Sequence, residues 1–352
     1  MILLLTQCFP PDHGGIEAAM GHIARALHAA GEELVVLADH IRGGQPEPGW
    51  PFPVHRFGGP RLWRRFRKAR ALARLAPDAV LADSWKSLEA LPARTPRVVV
   101  LAHGNELLRR DGRRGARIAR ALARADLVVA NSSYTAGLLA GLHRHVEVIH
   151  PPIDPPVAPP RAARPGLILS LGRLEARKGL DMVIRALPAL PGARHLIIGE
   201  GPDEGRLRAL AAECGVTDRV EFAGRVDDAE KFRLIAQAEI MAMPVRREGN
   251  SVEGFGMVYL EAAWCGVPAL AGREGGAADA VVDEQTGLLV DGADPLAVQS
   301  ALARLLGDAA LRERLGHAAQ ARAGDFTWRA TLPRYLSALG RSPAGNAWNS
   351  AG

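Results

Sequence analysis

The stretch Val148-Ile-His-Pro-Pro-Ile-Asp-Pro-Pro-Val-Ala-Pro-Pro160 cannot build a helix or a central strand, because its six prolines fix φ and remove backbone donors. It reads as a semi-rigid linker, and the chain repeats one pattern on either side of it. Before it, short apolar runs at 2–6, 34–38, 79–82, 98–103 and 127–130 alternate with stretches of helical length. One such stretch, 16–30, places Ile16, Met20, Ile23, Ala24 and Leu27 on one face. After it, runs at 167–171, 195–198, 220–222, 240–243, 268–271 and 287–290 continue the alternation. Continuous apolar runs belong to parallel strands covered on both faces. The expectation is an α/β fold of two Rossmann-like, doubly wound domains, 1–154 and 155–324, facing across a cleft. A helix at about 325–345 is expected to pack back on the first domain, and the tail from Arg341 to fray.

Composition agrees with two cores. The 352 residues are 48% apolar and 23% charged, which excludes wholesale disorder and exceeds what one ordinary domain needs. Cys8, Cys214 and Cys265 are widely separated, odd in number and lack metal-ligand spacing, so reduced thiols in a cytoplasmic protein are expected. Met1-Ile-Leu-Leu-Leu has no basic leader, and no apolar run approaches the ~20 residues of a membrane span. Charge is uneven. Residues 1–150 carry 21 Lys+Arg against 13 Asp+Glu, whereas 151–352 carry 23 against 25. An anionic partner is therefore expected at the first half.

Four segments carry candidate chemistry. In Glu253-Gly-Phe-Gly-Met-Val-Tyr-Leu-Glu261 a helix beginning near Gly256 would leave Glu253 in the loop at its positive end and Glu261 inside it. The amides of Gly254 and Gly256 could then approach an anion. Taken alone, an acidic cap and a surface glutamate are an equally good reading. Gly172-Arg173-Leu-Glu-Ala-Arg-Lys178-Gly179 sets two cations five apart after a strand, suited to charge developing on a leaving diphosphate. Gly14-Gly15, between the first strand and helix, would admit a phosphate, or simply form a turn. His103-Gly-Asn-Glu106 follows the run at 98–102, where a lone histidine is more often structural.

Context joins these segments. The two glutamates stand between Met241-Ala-Met-Pro and Ala-Trp-Cys-Gly-Val-Pro, and are followed by Gly275-Gly276 and Ala280-Val-Val-Asp-Glu-Gln-Thr-Gly-Leu-Leu-Val290. This resembles glycosyltransferase family 4, and the stretch 241–290 is similar to its phosphatidylinositol-mannoside mannosyltransferases. The resemblance implies a retaining, metal-independent GT-B enzyme that moves a hexose from a GDP- or UDP-linked donor, needs no cofactor, and makes an α linkage. GDP-mannose is the preferred donor, with UDP-hexoses next. By the same resemblance, Glu253 contacts the donor sugar, Glu261 the ribose hydroxyls, Arg173 and Lys178 the diphosphate, and His103 the sugar. Donor contacts would extend to Gly14, Gly15, Gly172, Gly201, Val226, Gly254, Phe255, Gly256, Met257 and Val258. Glu17 and Glu106 would serve the acceptor, Glu106 alternatively orienting its loop. Two departures border the sugar pocket: Ala278-Asp279 replaces the family's Pro-Glu, and the loop 246–251 is individual.

Arg61-Leu-Trp-Arg-Arg-Phe-Arg-Lys-Ala-Arg-Ala-Leu-Ala-Arg74 carries seven cations and no acid. With Arg61, Trp63, Arg64, Arg65, Arg67 and Lys68 outward it could lie on an anionic membrane. Otherwise the face Leu62, Phe66, Ala69, Ala73 packs on its own domain. Arg109, Arg110, Arg113, Arg114 and Arg117 add to the same half. The partners expected are a nucleotide-sugar, a lipid-linked or glycan acceptor and the inner face of the plasma membrane. Nucleic acid is not among them, for no recognition module is present. Gly199-Glu-Gly-Pro-Asp-Glu-Gly205, with Glu221 beyond, keeps an NAD-dependent oxidoreductase as a rival; a sugar-nucleotide epimerase is another. Asp227-Asp228 reads as a helix cap rather than a metal site.

Overall fold

The computed structural model describes residues 1–12, 14–41, 46–47, 49–92, 95–153 and 155–342. The chain forms two compact units: Met1–Pro151 with the segment from Trp328 onward, and Pro152–Thr327. The expected boundary at 154/155 adjoins Asp154, and the expected helix end at 345 and the tail from 343 lie outside the described residues.

In the first unit, strands β1 (Ile2–Leu5), β2 (Leu34–Asp39), β3 (Val54–Phe57), β4 (Ala79–Ala82), β5 (Arg97–Ala102), β6 (Leu127–Ala130) and β7 (Val146–Val148) form one sheet. Its order is β3-β2-β1-β4-β5-β6-β7, every neighbour parallel. The crossovers are α1 (Gly15–Ala29), α2 (Arg61–Leu75), the short α3 (Trp85–Leu88), α4 (Gly112–Leu122) and α5 (Ser133–Leu138). β3 and β7 carry few apolar residues and sit at the two sheet edges, where only one neighbour covers them. That is why a search for apolar runs passes over both.

The second unit has β8 (Leu167–Leu171), β9 (Arg194–Ile198), β10 (Val220–Gly224), β11 (Ile240–Met243), β12 (Ala269–Gly272) and β13 (Gly287–Val290), ordered β10-β9-β8-β11-β12-β13 and parallel throughout. Its helices are α6 (Leu180–Ala186), α7 (Glu204–Glu213), α8 (Asp228–Gln237), α9 (Met257–Trp264), α10 (Ala277–Ala280), α11 (Pro295–Gly307) and α12 (Ala309–Ala323). A last helix, α13 (Trp328–Ala338), belongs to the first unit and buries Trp328, Leu332, Tyr335 and Leu336 in the core formed by α1 and one sheet face.

The proline-rich stretch differs from the expected linker. Ile153 N–H donates to Phe326 O (2.8 Å), and just past the stretch Ala162 N–H donates to Ala236 O (3.1 Å) and Arg164 N–H to Gln237 O (2.8 Å). The indole of Trp264 donates to Pro156 O at 3.0 Å. Prolines supply acceptors only, and the residues between them supply the donors.

Candidate active site

The switch point of each parallel sheet lies at its carboxyl edge, where ligands bind such folds. In the second unit the chain leaves β8 at Gly172 and makes a single 3₁₀ turn, Ala176–Lys178. That turn sets Arg177 and Lys178 side by side. Gly179 ends it at φ +72°, and a Cβ there would stand 2.0 Å from Pro244 O. Only glycine lets this loop lie on the one leaving β11.

From Pro244 the chain runs to α9, entered through Gly256 at φ +91°. A Cβ on Gly256 would meet the Tyr259 ring at 2.5 Å. The Tyr259 hydroxyl donates to Met243 O at 2.6 Å and so fixes the helix start to the strand end. Glu253 lies in this loop, and its carbonyl accepts from Gly276 N–H at 2.9 Å. Gly275 packs so tightly that a Cβ would sit 2.3 Å from the same carbonyl. The paired glycines thus hold the Glu253 backbone.

The Glu253 carboxylate accepts from Arg177 Nη1 at 2.7 Å and closely from Lys178 Nζ. Arg177 Nε in turn donates to Glu175 at 2.9 Å. Burial alone would push the Glu253 carboxyl up, but Lys178 and then Arg177 bring it down to about 2. The site is therefore an ionised carboxylate held by two fixed cations, with the Gly172 loop 3.9 Å from Lys178 Nζ by its would-be Cβ. Such an array can hold sugar hydroxyls through the carboxylate and receive phosphate charge on the cations.

Glu261 is carried inside α9 and accepts from Lys231 Nζ at 2.8 Å, while Lys231 also reaches Asp228 at 2.9 Å. Burial pushes the Glu261 carboxyl up, against the pull of Lys231. Asp227 caps α8 through Glu230 N–H at 2.8 Å. Val226 is half-buried between β10 and that cap, and Met257 and Val258 are half-buried at the start of α9. Gly201 packs with its would-be Cβ 2.3 Å from Leu174 O, bringing its loop against the loop after β8. Gly254 is half-buried beside Glu253.

Two side chains of this edge stand apart from the Glu253 cluster. Phe255 is 2% exposed and packs in the core with its ring tilted against Phe326, so its backbone is what can meet a ligand. Arg173 does not join Lys178 on Glu253; its side chain is 71% exposed and pairs with Glu175 at 3.3 Å. Arg177, Tyr259 and Lys231 were missed. The adjacent Arg177-Lys178 pair was a legible hint, but nothing in the sequence places Lys231 against a glutamate thirty positions on. The dinucleotide rival weakens here, since Arg206 holds Asp203 (2.6 Å) at the start of α7 and Glu204 opens that helix. Two carboxylates at that helix start oppose a pyrophosphate.

In the first unit, Asp83 follows β4 and organises the carboxyl edge. Its carboxylate accepts from Thr6 Oγ1 (2.9 Å), Gln7 N–H (2.8 Å) and Ser87 Oγ (2.6 Å). Its carbonyl accepts from His103 Nε2 at 2.9 Å, which fixes the orientation of the ring. Glu106 accepts from His103 N–H at 2.8 Å and so orients the loop, the second of its two expected roles. Gly14 and Gly15 are exposed at the start of α1; a Cβ on Gly15 would meet nothing within 4 Å, while Glu17 folds back over Gly14.

α2 is turned unexpectedly. Leu62, Trp63 and Phe66 are 74%, 63% and 60% exposed, so they do not pack on their own domain. Arg61 and Arg67 are exposed beside them, and Arg64 and Arg65 half-buried. Lys68, expected on the outer surface, is instead 4% exposed, paired with Asp39 at 2.6 Å and donating to Thr6 O at 2.6 Å. The helix turns Lys68 and Leu72 inward and leaves Leu62, Trp63 and Phe66 outside.

With the geometry in place, comparison with known proteins is direct. Residues 13–156 match the family described as Glycosyltransferase Family 4, and residues 157–322 the one described as glycosyl transferases group 1. The chain is 33% identical to the GDP-mannose-dependent alpha-(1-6)-phosphatidylinositol monomannoside mannosyltransferase of Mycolicibacterium smegmatis, across 98% of this chain and 100% of that protein. It is a family 4 glycosyltransferase.

The transferase is also 36% identical to the D-inositol 3-phosphate glycosyltransferase of Acidothermus cellulolyticus, over 64% of this chain and 55% of that one. Among solved structures it resembles sucrose-phosphate synthase from Thermosynechococcus elongatus, with TM-score 0.81 and 23% identity over 96% of this chain and 99% of the other. That likeness gives the fold, GT-B. The transferase is thus a hexosyltransferase built on two parallel-sheet domains, and no helix among its described residues is long and apolar enough to cross a membrane.

Proposed function

We propose that the transferase moves mannose from GDP-mannose, with retention, to a lipid-linked acceptor at the cytoplasmic face of the membrane. The carrying observation is the Glu253 carboxylate held by Arg177 and Lys178 at the carboxyl edge of the second sheet. Bound donor would set its diphosphate against Lys178 and Arg173, in place of a metal, and its sugar hydroxyls against Glu253. Glu261 would take the ribose hydroxyls. As the sugar–phosphate bond breaks, charge grows on the diphosphate, and fixed cations favour that state over the ground state. The departing phosphate would accept the proton of the acceptor hydroxyl on the face it leaves, so no separate base is required. By the family resemblance, His103 and Gly14–Gly15 would serve the donor and Glu17 the acceptor.

GDP-mannose is favoured because the relatives matched over most of the chain carry it in their names. A UDP-hexose is the second reading, supported by a similarly folded Anabaena protein held in complex with UDP-glucose. A lipid acceptor is favoured by those same relatives and by α2, whose exposed Leu62, Trp63 and Phe66 stand among Arg61, Arg64, Arg65 and Arg67. Apolar side chains ringed by cations suit an anionic bilayer surface.

The test is a melting-temperature series with GDP-mannose, UDP-glucose, UDP-N-acetylglucosamine and NAD. One sugar nucleotide is expected to raise the temperature in the parent and not in Arg173→Ala. A response to NAD alone would overturn the reading.

A further inference from the structure

The loop that leaves β11 begins at Pro244 and reaches Glu253 by way of Arg246. Arg246 grips the neighbouring loop at two points, by its amide and by its guanidinium. Its N–H donates to Arg177 O at 2.9 Å. Its Nη1 and Nη2 donate to the two Asp181 carboxylate oxygens, at 2.8 and 3.0 Å. Arg177 and Asp181 stand on either side of Lys178 in the chain, so one residue brackets the ammonium that meets Glu253. The fork matters, because a planar guanidinium on a carboxylate fixes direction as well as distance.

Asp181 lies in the first turn of α6 with its side chain 6% exposed, and that of Arg246 is 12% exposed. Burial works against the Asp181 charge, yet Arg246 and then Arg206 hold the carboxyl below its ordinary value. Arg206 reaches it at 3.4 Å from the first turn of α7, where it also holds Asp203. The loops after β8, β9 and β11 therefore meet at one buried carboxylate. Beyond Arg246 the chain turns tightly: Glu248 and Ser251 exchange both backbone hydrogen bonds at 2.9 Å, and Val252 is fully buried just before Glu253. Arg246 thus stands at the root of the loop that carries Glu253 and grips the loop that carries Lys178.

We propose that Arg246, acting through Asp181, is a positioning residue that sets Lys178 for the donor diphosphate. The inference rests on the proposed role of Lys178 at that diphosphate. Without the fork, Arg177 and Lys178 keep their charges, but their turn is held by the Arg246 amide and by the packing of Gly179 on Pro244 O. A cation displaced by about 1 Å gives up much of its advantage at a reacting group. A lysine at 246 would still neutralise Asp181, yet a point charge lacks the two-pronged hold. Replacing both partners by apolar side chains would remove the hold without stranding a buried charge.

The test measures binding of GDP and GMP to the full chain by calorimetry, with UDP and UMP alongside. In the parent the diphosphate is expected to bind about a hundredfold more tightly than the monophosphate, and Arg246→Lys to cut that preference about tenfold. Lys178→Ala should cut it at least as far, and adding Arg246→Lys to Lys178→Ala should cut it no further. In Arg246→Met with Asp181→Leu the urea midpoint should hold while the same preference, about tenfold, is lost. A preference that survives in Arg246→Lys or in the apolar pair, or losses that multiply in the Lys178→Ala background, would overturn the inference. Equal weakening of diphosphate and monophosphate, as a damaged fold would give, would make the pair structural only and overturn it as well. If only the uridine nucleotides bind, GDP-mannose falls as the donor and the same ratios, read from UDP and UMP, decide the inference. If no nucleotide binds the parent, the proposed function falls and takes this inference with it.

Discussion

The carboxyl edges of the two sheets carry similar numbers of cations and treat them in opposite ways. In the second unit the cations beside the site are matched within the chain: Arg177 and Lys178 on Glu253, Lys231 on Glu261, and Arg206 and Arg246 on Asp181. In the first unit Arg64 and Lys68 share Asp39, and Lys86 stands over the Trp85 ring. A matched edge is preorganised. Its ligand must exchange one ion pair for another, so a phosphate there gains selectivity through geometry rather than through raw attraction. An unmatched edge stores positive potential and rewards any anion that fits. Under the proposed function, donor recognition would be set by positions and acceptor recognition by charge.

The largest effect that would break this comparison is at Lys178. Lys178→Ala is expected to lower turnover by about 10²–10³-fold, because the diphosphate loses a fixed cation as its charge grows. Denaturant unfolding should change far less, since Arg177 still holds Glu253. Turnover within a few-fold of the parent would mean that the matched edge is structural only.

A second effect would sharpen the contrast from the other side. Asp39→Ala removes the carboxylate that Lys68 depends on, and a buried charge left alone is expected to cost about 3 kcal/mol in urea unfolding. An unchanged unfolding midpoint would show that the first edge is not short of negative charge.

The smallest effect lies on the outer face of α2. Trp63→Ala with Phe66→Ala should weaken binding to anionic vesicles about tenfold, from the apolar area lost. The melting temperature should stay put, as both side chains are mostly exposed already. A drop in stability would mean that they cover another part of the protein.

Much of the architecture was legible before the structure. Eleven of the thirteen strands among the described residues coincide with runs read from the sequence, and β3 and β7 escaped because edge strands need not be apolar. The positions of Glu253, Lys178 and the glycine pair could be read from motif spacing, because glycine at a tight approach and charge at a strand end have local causes. Gly256 is such a case: its positive φ and its close neighbour Tyr259 lie within three residues of each other.

What the chain could not disclose by itself are the partnerships between distant elements. The sequence determined two parallel α/β units, the loops that turn at their carboxyl edges, and a helix of seven cations with no acid. Only the tertiary structure decided that Arg177 shares Glu253, that Lys231 meets Glu261, that Phe255 faces the core, and that Lys68 turns inward while Trp63 turns out. Periodicity reports which residues share a face of a helix. It cannot report what that face meets, because the partners come from strands and loops far along the chain, and their charges settle which face is buried.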